Sequence, residues 1–436
     1  MKKLIYTMSS IMLICFIITP VQAQIGSGEP VSRLEEFSSV DGRPMERGAG
    51  AKRLPQKALS QTFDTKISYD AGAFEDTSSC EIVAREEAKQ NLVEKITDDI
   101  VDYYNIEVSV KYNLDPMVRE ETYGFLFSLV NFETTKEEWK NNQLNLNMGA
   151  TINANDIIRQ IIVLYNDKPL INHMIKNRKA ANEAFGEIKN LKKENVAKGD
   201  KSKKKAQYKN AVSRLNATEY FEKGLFSGFS GENQSTIDAF SRVIELNPKY
   251  AQAYYYRGIY IYSFKKDSQS ALLDLNKAIE LEDSDASFFE SRGICHNKSD
   301  NMDLAMKDFN RGIELDPLSA SLLSGRAAVY EAMDQYQKAL EDYTMAIEID
   351  PENLRSHYRM GLIHKHQKNY QQCIEAFGKA IAINDQFADA FYERAMAYAY
   401  LKDDKNKEKV IDDFKAAAKL GHAASQDILK SINVTW

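Results

Sequence analysis

A 34-residue period runs through the second half of the chain. A glycine or alanine recurs at intervals of 34, 35, 34, 34 and 34 residues, and a large residue follows each after 16 to 19 residues. The small residues are Gly224, Gly258, Gly293, Ala327, Gly361 and Ala395, and the large ones are Phe240, Leu275, Phe309, Tyr343, Phe377 and Phe414. A unit of this length cannot bury its apolar face alone, so the sequence predicts stacked units.

The junctions between these units carry a family resemblance. The segments NPKYAQAYYYRG, DPLSASLLSGRA and DPENLRSHYRMG, together with the period, resemble the tetratricopeptide repeat (TPR). The resemblance implies two antiparallel helices, A and B, in each of six repeats over residues 217–424, with a C-terminal capping helix and tail over 425–436. The predicted fold class is an α-helical TPR solenoid, an α-α superhelix, preceded by a small α+β domain.

The first residues are typical of an export signal. Lys2 and Lys3 precede an apolar stretch, Pro20 ends it, and Val21-Gln22-Ala23 is a cleavage site with small residues, so 1–23 is predicted to be a signal peptide. A lipid-modified Cys15 is disfavoured because Ile14, which is not a small residue, precedes it. An uncleaved anchor is disfavoured because the apolar run falls short of the roughly 20 residues that a span needs. Residues 24–63 lack periodicity and predict a disordered linker.

Residues 64–165 are predicted to form an α+β module. Helical spacing of apolar residues over 79–104 is followed by three stretches interpreted as strands, namely 106–112, Phe125–Phe132 and Leu144–Ile152, and then by a helix after Asn153 or Asn155. The helix with Ala84, Ala88, Leu92 and Ile96, followed by strands, resembles exported domains of the LPP20-lipoprotein type. That resemblance implies no catalytic residues.

Residues 166–216 are predicted to be a helical, lysine-rich connector. Nine lysines between Ile188 and Lys209 oppose only Glu194 and Asp200, which gives this stretch a charge of +7. A patch for nucleic acid or anionic lipid is one interpretation. A solvated helical connector is the favoured one, because no aromatic residue lies among the lysines before Tyr208.

Arginine and aspartate recur together at two fixed positions of the repeats. The four repeats with Arg before the small residue have Asp before the large residue of helix B, and the two without Arg have Ala there. Arginines that bound a ligand would not be expected to occur only in the repeats that also carry this Asp. The sequence therefore predicts charge-assisted pairs that hold helix A on helix B. These structural pairs are Arg257–Asp274, Arg292–Asp308, Arg326–Asp342 and Arg394–Asp413.

Residues one turn apart on the A helices are expected to line the concave side of the array, which we call the A-helix face. This face is aromatic at both ends and small and polar in the middle. Tyrosine offers large contact area and a polar tip, which suits recognition of another protein. The alternative is that these tyrosines only pack on neighbouring repeats. The predicted partner-binding residues are Tyr255, Tyr262, Tyr358, Lys365 and Tyr392.

Composition and motifs exclude several functional classes. The net charge of −6 disfavours chain-wide nucleic-acid binding, and four Cys and six His disfavour a dense disulfide or metal framework. The spacing of His357, His364 and His366 does not favour a metal site. Phosphate-loop, metalloprotease and nucleophile-elbow motifs are absent from the sequence. The Lys, Asn and Arg set by which some TPR proteins bind a C-terminal carboxylate is also missing. We expect no enzyme activity, no catalytic residue, no metal and no cofactor.

These observations favour an exported scaffold or adaptor. It would mediate protein–protein interaction in the bacterial cell envelope, in the periplasm or secreted, through the concave A-helix face. The expected partner is another protein, with no nucleic acid and no transmembrane segment after signal cleavage. The alternative is an envelope structural or polymer-binding protein, in which the α+β module binds and the repeats oligomerise.

Overall fold

The computed structural model describes residues 60–72, 75–103, 119–153, 157, 167–193 and 201–436. The predicted signal peptide, the strand expected at 106–112 and almost all of the helix expected after Asn155 lie outside this part of the chain. The described residues form two compact units. We call them the N-terminal unit, which ends at Phe288, and the C-terminal unit, Phe289–Trp436, and each is described by itself.

The N-terminal unit begins with an α+β region. Its elements are β1 (Ser60–Asp70), α1 (Thr77–Tyr103), α2 (Arg119–Leu129), β2 (Glu133–Lys140) and β3 (Gln143–Asn153). The strands form an antiparallel sheet in the order β1-β3-β2. Every second residue of β3, from Leu144 to Ile152, is buried, and α1 packs on β1 and β3. This alternation is the one that the sequence predicts.

Two predictions for this region are wrong. Ser60–Phe63, assigned to the disordered linker, belong to β1, where Phe63 pairs with Ala150 of β3. Phe125–Phe132, interpreted as a strand, lies mostly in helix α2, which ends at Leu129. Phe125, Leu126 and Leu129 are all buried there. A short apolar run without alternation does not distinguish a buried strand from a buried helix.

Two long helices join this region to the repeats. They are α3 (Lys168–Lys193) and α4 (Lys201–Phe229), and they pack side by side. The sequence predicts a solvated connector here, but α3 has a buried stripe. Met174, Ala181, Ala184, Phe185 and Ile188 are all less than 5% exposed. The helix is therefore part of the core of the N-terminal unit.

Antiparallel helix pairs follow at the predicted period. Repeat 1 pairs the end of α4 with α5 (Asn233–Leu246), and repeat 2 pairs α6 (Ala251–Tyr260) with α7 (Ser268–Leu281). The later pairs are α8 (Ala286–Lys298) with α9 (Met302–Leu315), α10 (Ala320–Ala332) with α11 (Tyr336–Ile349), α12 (Leu354–His366) with α13 (Tyr370–Ile383), and α14 (Ala388–Tyr400) with α15 (Lys407–Lys419). Helix α16 (Ala423–Ser431) lies where the sequence predicts a capping helix.

A left-handed residue separates helix A from helix B in each repeat. Repeat 1 uses Gly231 there, with φ of 75°. The other repeats use non-glycine residues with φ between 54° and 62°, which are Lys266, Asp300, Asp334, Lys368 and Lys402. The repeats therefore share one turn geometry despite different side chains.

Helices A and B approach each other most closely at the small residue of helix A. A Cβ placed on Gly361 would lie 2.6 Å from Cε1 of Phe377, and one on Gly224 would lie 2.9 Å from Cζ of Phe240. Both rings are fully buried. The period in the sequence thus reflects a recurring contact, in which an aromatic ring of helix B packs directly on the backbone of helix A.

We expect Gly361→Ala to lower the free energy of unfolding by about 1–3 kcal/mol, because the added methyl overlaps a ring that has no room to move. The matched control is Gly378→Ala on α13, where the nearest atom to a new Cβ is Nη1 of Arg394 at 3.7 Å. That change should stabilise the helix by up to about 1 kcal/mol. Thermal unfolding of both variants measures the difference, and equal shifts would contradict the close approach.

Candidate functional site

The four Arg–Asp pairs share one bidentate geometry. Nε and Nη2 of each arginine donate to the two carboxylate oxygens of the Asp in the same repeat, at 2.6–2.8 Å. These hydrogen bonds raise the pKa of Arg257, Arg326 and Arg394. All four aspartates are buried, and the arginines are about one-fifth exposed.

Two of these arginines also contact the preceding helix B. Nη1 of Arg326 donates to Oδ1 of Asn310 at 2.9 Å, and Nη1 of Arg257 donates to Oγ of Ser241 at 3.3 Å. A single guanidinium thus joins three helices. The arrangement leaves these arginines engaged within the fold rather than directed at a ligand.

In the N-terminal unit, helix α3 lies against the A-helix face of the first repeats. Nδ1 of His173 lies 2.9 Å from the hydroxyl of Tyr256, and Nε2 lies 2.6 Å from Oδ2 of Asp285. Burial would raise the pKa of Asp285, but hydrogen bonds from His173 and Ser287 outweigh it and lower that pKa. One face of α3 therefore binds A-helix residues of repeat 2 and the residue that precedes α8.

The same helix makes further polar contacts with residues of repeats 1 and 2. Nζ of Lys176 pairs with Glu282 at 2.6 Å, and Tyr250 donates a hydrogen bond to Oδ1 of Asn177. The amide of Asn177 lies 3.4 Å from the carbonyl oxygen of Thr218 in α4. These contacts, together with those of His173, hold α3 against repeats 1 and 2 of the N-terminal unit.

A buried ionic network fixes α3 from its other side. Arg178 is bonded to Glu86 of α1 and to Glu222 of α4, and its guanidinium carbon lies 3.8 Å from the ring centroid of Phe127. Side chains of all three charged residues are 5% exposed. Burial raises the pKa of Glu222 to about 7. Helix α3 is thereby held between the α+β region and the first repeat, by partners that no local sequence pattern reveals.

Two of the predicted partner-binding residues, Tyr255 and Tyr262, lie in the N-terminal unit. The ring centroid of Tyr255 lies 5.6 Å from that of His173 and 4.9 Å from that of Phe288. Tyr262 is 8% exposed. Tyr255 therefore contacts α3 through His173, and Tyr262 is buried, while partner binding by the predicted residues stays a prediction.

The other three predicted residues lie on the A-helix face of the C-terminal unit. Tyr358 and Lys365 are on α12, Tyr392 is on α14, and all three are half-buried. Nζ of Lys365 pairs with Glu393 at 2.5 Å, and Arg359 pairs with Glu331 at 3.3 Å. Adjacent A helices are thus joined by ion pairs across this face.

An aromatic pair recurs on the A-helix face of both units. Its first ring is on helix A, and its second belongs to the residue that caps the next A helix or α16. The pairs are Phe221–Tyr250 (5.3 Å between ring centroids), Tyr358–Phe387 (4.7 Å) and Tyr392–His422 (4.4 Å). Asn177 of α3 binds the hydroxyl of Tyr250. The first pair therefore already contacts a helix, and its two equivalents lie on the C-terminal unit.

Cysteine and histidine do not assemble into a reactive site in the described part of the chain. Cys80, Cys295 and Cys373 are free and buried, and burial raises the pKa of Cys80 to about 11 and of the other two to about 12. His357 contacts the carbonyl oxygen of Pro351, and His366 contacts the ring of Tyr336. Among the described residues, no group of His, Cys, Asp and Glu could hold a metal ion.

Comparison with known proteins identifies the repeats. Residues 320–353 and 354–387 match the model of the tetratricopeptide repeat family. The chain contains TPR units. Its fold class is the predicted one, a TPR-type helical array preceded by a small α+β region. TPR proteins commonly bind peptides or other proteins, and no curated protein sequence matches the chain.

Several solved structures are similar to part of the chain. YrrB, described as a TPR protein with an unusual peptide-binding site, is 21% identical, with 45% of this chain and 100% of that one covered and a TM-score of 0.35. PilF of Pseudomonas aeruginosa is 11% identical, with 50% and 99% covered and a TM-score of 0.45. A TPR protein from Parabacteroides merdae is 18% identical, with 49% and 98% covered and a TM-score of 0.37. Within the residues that the structure describes, every helix is too short or too polar to cross a bilayer.

Proposed function

We propose that this protein is an exported scaffold, which binds a helical segment of another cell-envelope protein on the A-helix face of its C-terminal unit. Its role is binding rather than catalysis. The observation that carries the proposal is the packing of α3 in the N-terminal unit. There, repeats 1 and 2 bind this helix through His173, Lys176 and Asn177. The predicted signal peptide supports export, and the TPR units support a scaffold role.

The recurring aromatic pair indicates where the partner lies. In the N-terminal unit the pair Phe221–Tyr250 is contacted by α3, whose own length is 26 residues. In the C-terminal unit the equivalent pairs are Tyr358–Phe387 and Tyr392–His422. A helix of similar length would cross both pairs, because packed helices lie roughly 8–10 Å apart and each residue of a helix rises about 1.5 Å.

The test places a photoreactive phenylalanine analogue at single tyrosines of the full chain in the native cell. At Tyr358 and at Tyr392 we expect a discrete protein adduct. Tyr330 and Tyr398 are the matched controls, because their rings face Arg326 and Lys409 on another side of the repeats. Adducts at the controls but not at Tyr358 and Tyr392 would contradict the proposal.

The same experiment separates the proposal from the alternative function. The analogue at Trp139 of β2 reports on the α+β region. An adduct with a polysaccharide or another copy of the chain at that position, without a protein adduct at Tyr358, would favour a polymer-binding or assembly role. Thermal unfolding of each labelled variant verifies that the analogue is accommodated.

A further inference from the structure

Exposed lysines gather where α3 ends and α4 begins. Lys192 near the end of α3 and Tyr208 near the start of α4 both bind the carboxylate of Glu75, which brings the two helix ends together. Six other lysines around this point are exposed to solvent. We call them the lysine tip, and they are Lys189, Lys193, Lys201, Lys203, Lys205 and Lys209.

The needs of folding do not explain this arrangement. The first turn of α4 contains no acidic residue, so Lys201, Lys203 and Lys205 lie at the positive end of the helix dipole, where cations are unfavourable. Lys201, Lys205 and Lys209 are also spaced four residues apart, which sets like charges side by side. Among the described residues, Lys201, Lys203 and Lys205 form no ion pair. These three lysines therefore cost local stability without forming a compensating ion pair inside the described part of the fold.

We propose that the lysine tip docks the protein on a membrane surface rich in anionic phospholipid. The segment 188–209 carries a charge of +7, whereas the whole chain carries −6, which leaves −13 on the rest. An anionic surface attracts the tip and repels the remainder, so it orients the molecule as well as holding it. Docking of this kind needs no inserted segment.

Charge density rather than shape is what the tip offers. Tyr208, the aromatic residue in this stretch, is fully buried beneath the lysines. A single-stranded nucleic acid would call for exposed rings on which bases stack, and none lies among Lys189, Lys193 and the lysines of α4. A layer of anionic headgroups matches a spread of mobile cations better, because each lysine can pair with a different headgroup.

The test compares vesicle binding of the full chain and of two triple variants. The tip variant is Lys201→Gln, Lys203→Gln and Lys205→Gln. The control variant is Lys379→Gln, Lys405→Gln and Lys419→Gln, which removes the same charge from exposed lysines of the C-terminal unit. Cosedimentation is measured with vesicles of about one-third phosphatidylglycerol in phosphatidylcholine, and with phosphatidylcholine alone, which reports any apolar adsorption.

We expect the wild type and the control variant to bind the anionic vesicles, and the tip variant to bind on the order of 100-fold more weakly. Binding of the wild type should vanish as salt rises from about 0.05 M to about 0.5 M. The melting temperature of the tip variant should be equal to or above that of the wild type, since it loses unfavourable charges from the start of α4. If the tip variant folds normally and loses vesicle binding, the loss is caused by the missing charges of the lysine tip.

Two results would overturn the proposal. One is equal vesicle binding by the tip and control variants. The other is binding of duplex DNA, tested with the same three proteins, that depends on the tip and is tighter than binding to vesicles, because the ligand would then be a nucleic acid. Neither result bears on the A-helix face, so this inference stands or falls separately from the scaffold function.

Discussion

Arg178→Ala is expected to lower the free energy of unfolding of the N-terminal unit by about 3–5 kcal/mol. The arginine is the common partner of Glu86 and Glu222, and all three side chains are 5% exposed. Removing it leaves the two buried carboxylates without the cation that hydrogen-bonds to both of them. The contact of the guanidinium with the Phe127 ring is lost as well.

This prediction is measured by urea unfolding with tryptophan fluorescence. The chain has two tryptophans, so Trp436→Phe leaves Trp139 of the N-terminal unit as the sole reporter. Lys179→Ala, an exposed neighbour on α3, is the matched control and should change stability by less than about 0.5 kcal/mol. Replacing Arg178, Glu86 and Glu222 together by Met, Leu and Met should restore most of the loss. A loss below about 1 kcal/mol for Arg178→Ala would mean that water reaches these carboxylates.

The second large effect concerns the Arg–Asp pairs. Asp308→Ala should cost about 2–3 kcal/mol, because it strips a bidentate partner from Arg292 at a carboxylate that is 4% exposed. In the Arg292→Ala background the same change should cost much less. The double-mutant cycle isolates a coupling energy of about 1.5–3 kcal/mol.

An exposed pair in the same repeat supplies the control cycle. Arg311 and Glu314 of α9 are bonded at 2.9 Å, but their side chains are 44% and 65% exposed. Their coupling should be at most about 0.5 kcal/mol. Fluorescence of Trp436 in a Trp139→Phe background reports on the C-terminal unit. Additive losses at Arg292 and Asp308 would show that the bidentate pair does not contribute to stability.

The repeats could be predicted because each constraint lies within one period. Gly361 and Phe377 are 16 residues apart, as are Arg292 and Asp308, so the contact recurs in the sequence at the spacing that the helix pair imposes. The left-handed turn is not evident in the sequence, although Gly231, Asp300 and Asp334 occupy equivalent positions of their repeats. Lysine at the equivalent positions conceals the signal, because lysine is not typical of positive φ.

The packing of α3 on the α+β region and the first repeats could not be predicted, for a different reason. His173 finds Asp285 at a separation of 112 residues, and Arg178 finds Glu86 at 92 residues. Such partners leave no period in the sequence. The lysines favour a solvated segment, whereas Ala181, Ala184 and Ile188 on the same helix are buried and belong to the core. The contact of Tyr255 with His173 is another long-range contact that no local pattern reveals.

The contrast between the two units has a consequence for how each comes apart. In the C-terminal unit nearly all helix contacts join neighbours along the chain, so hydrogen exchange should be fastest at α16 and slow progressively toward α10, as terminal repeats fray first. In the N-terminal unit, the ion pairs of Arg178 join α1, α3 and α4 through residues that are far apart in the sequence. Its amides should exchange together, in a single opening event. A protease should therefore trim the C-terminal unit stepwise from α16, but cleave the N-terminal unit only when that unit opens as a whole.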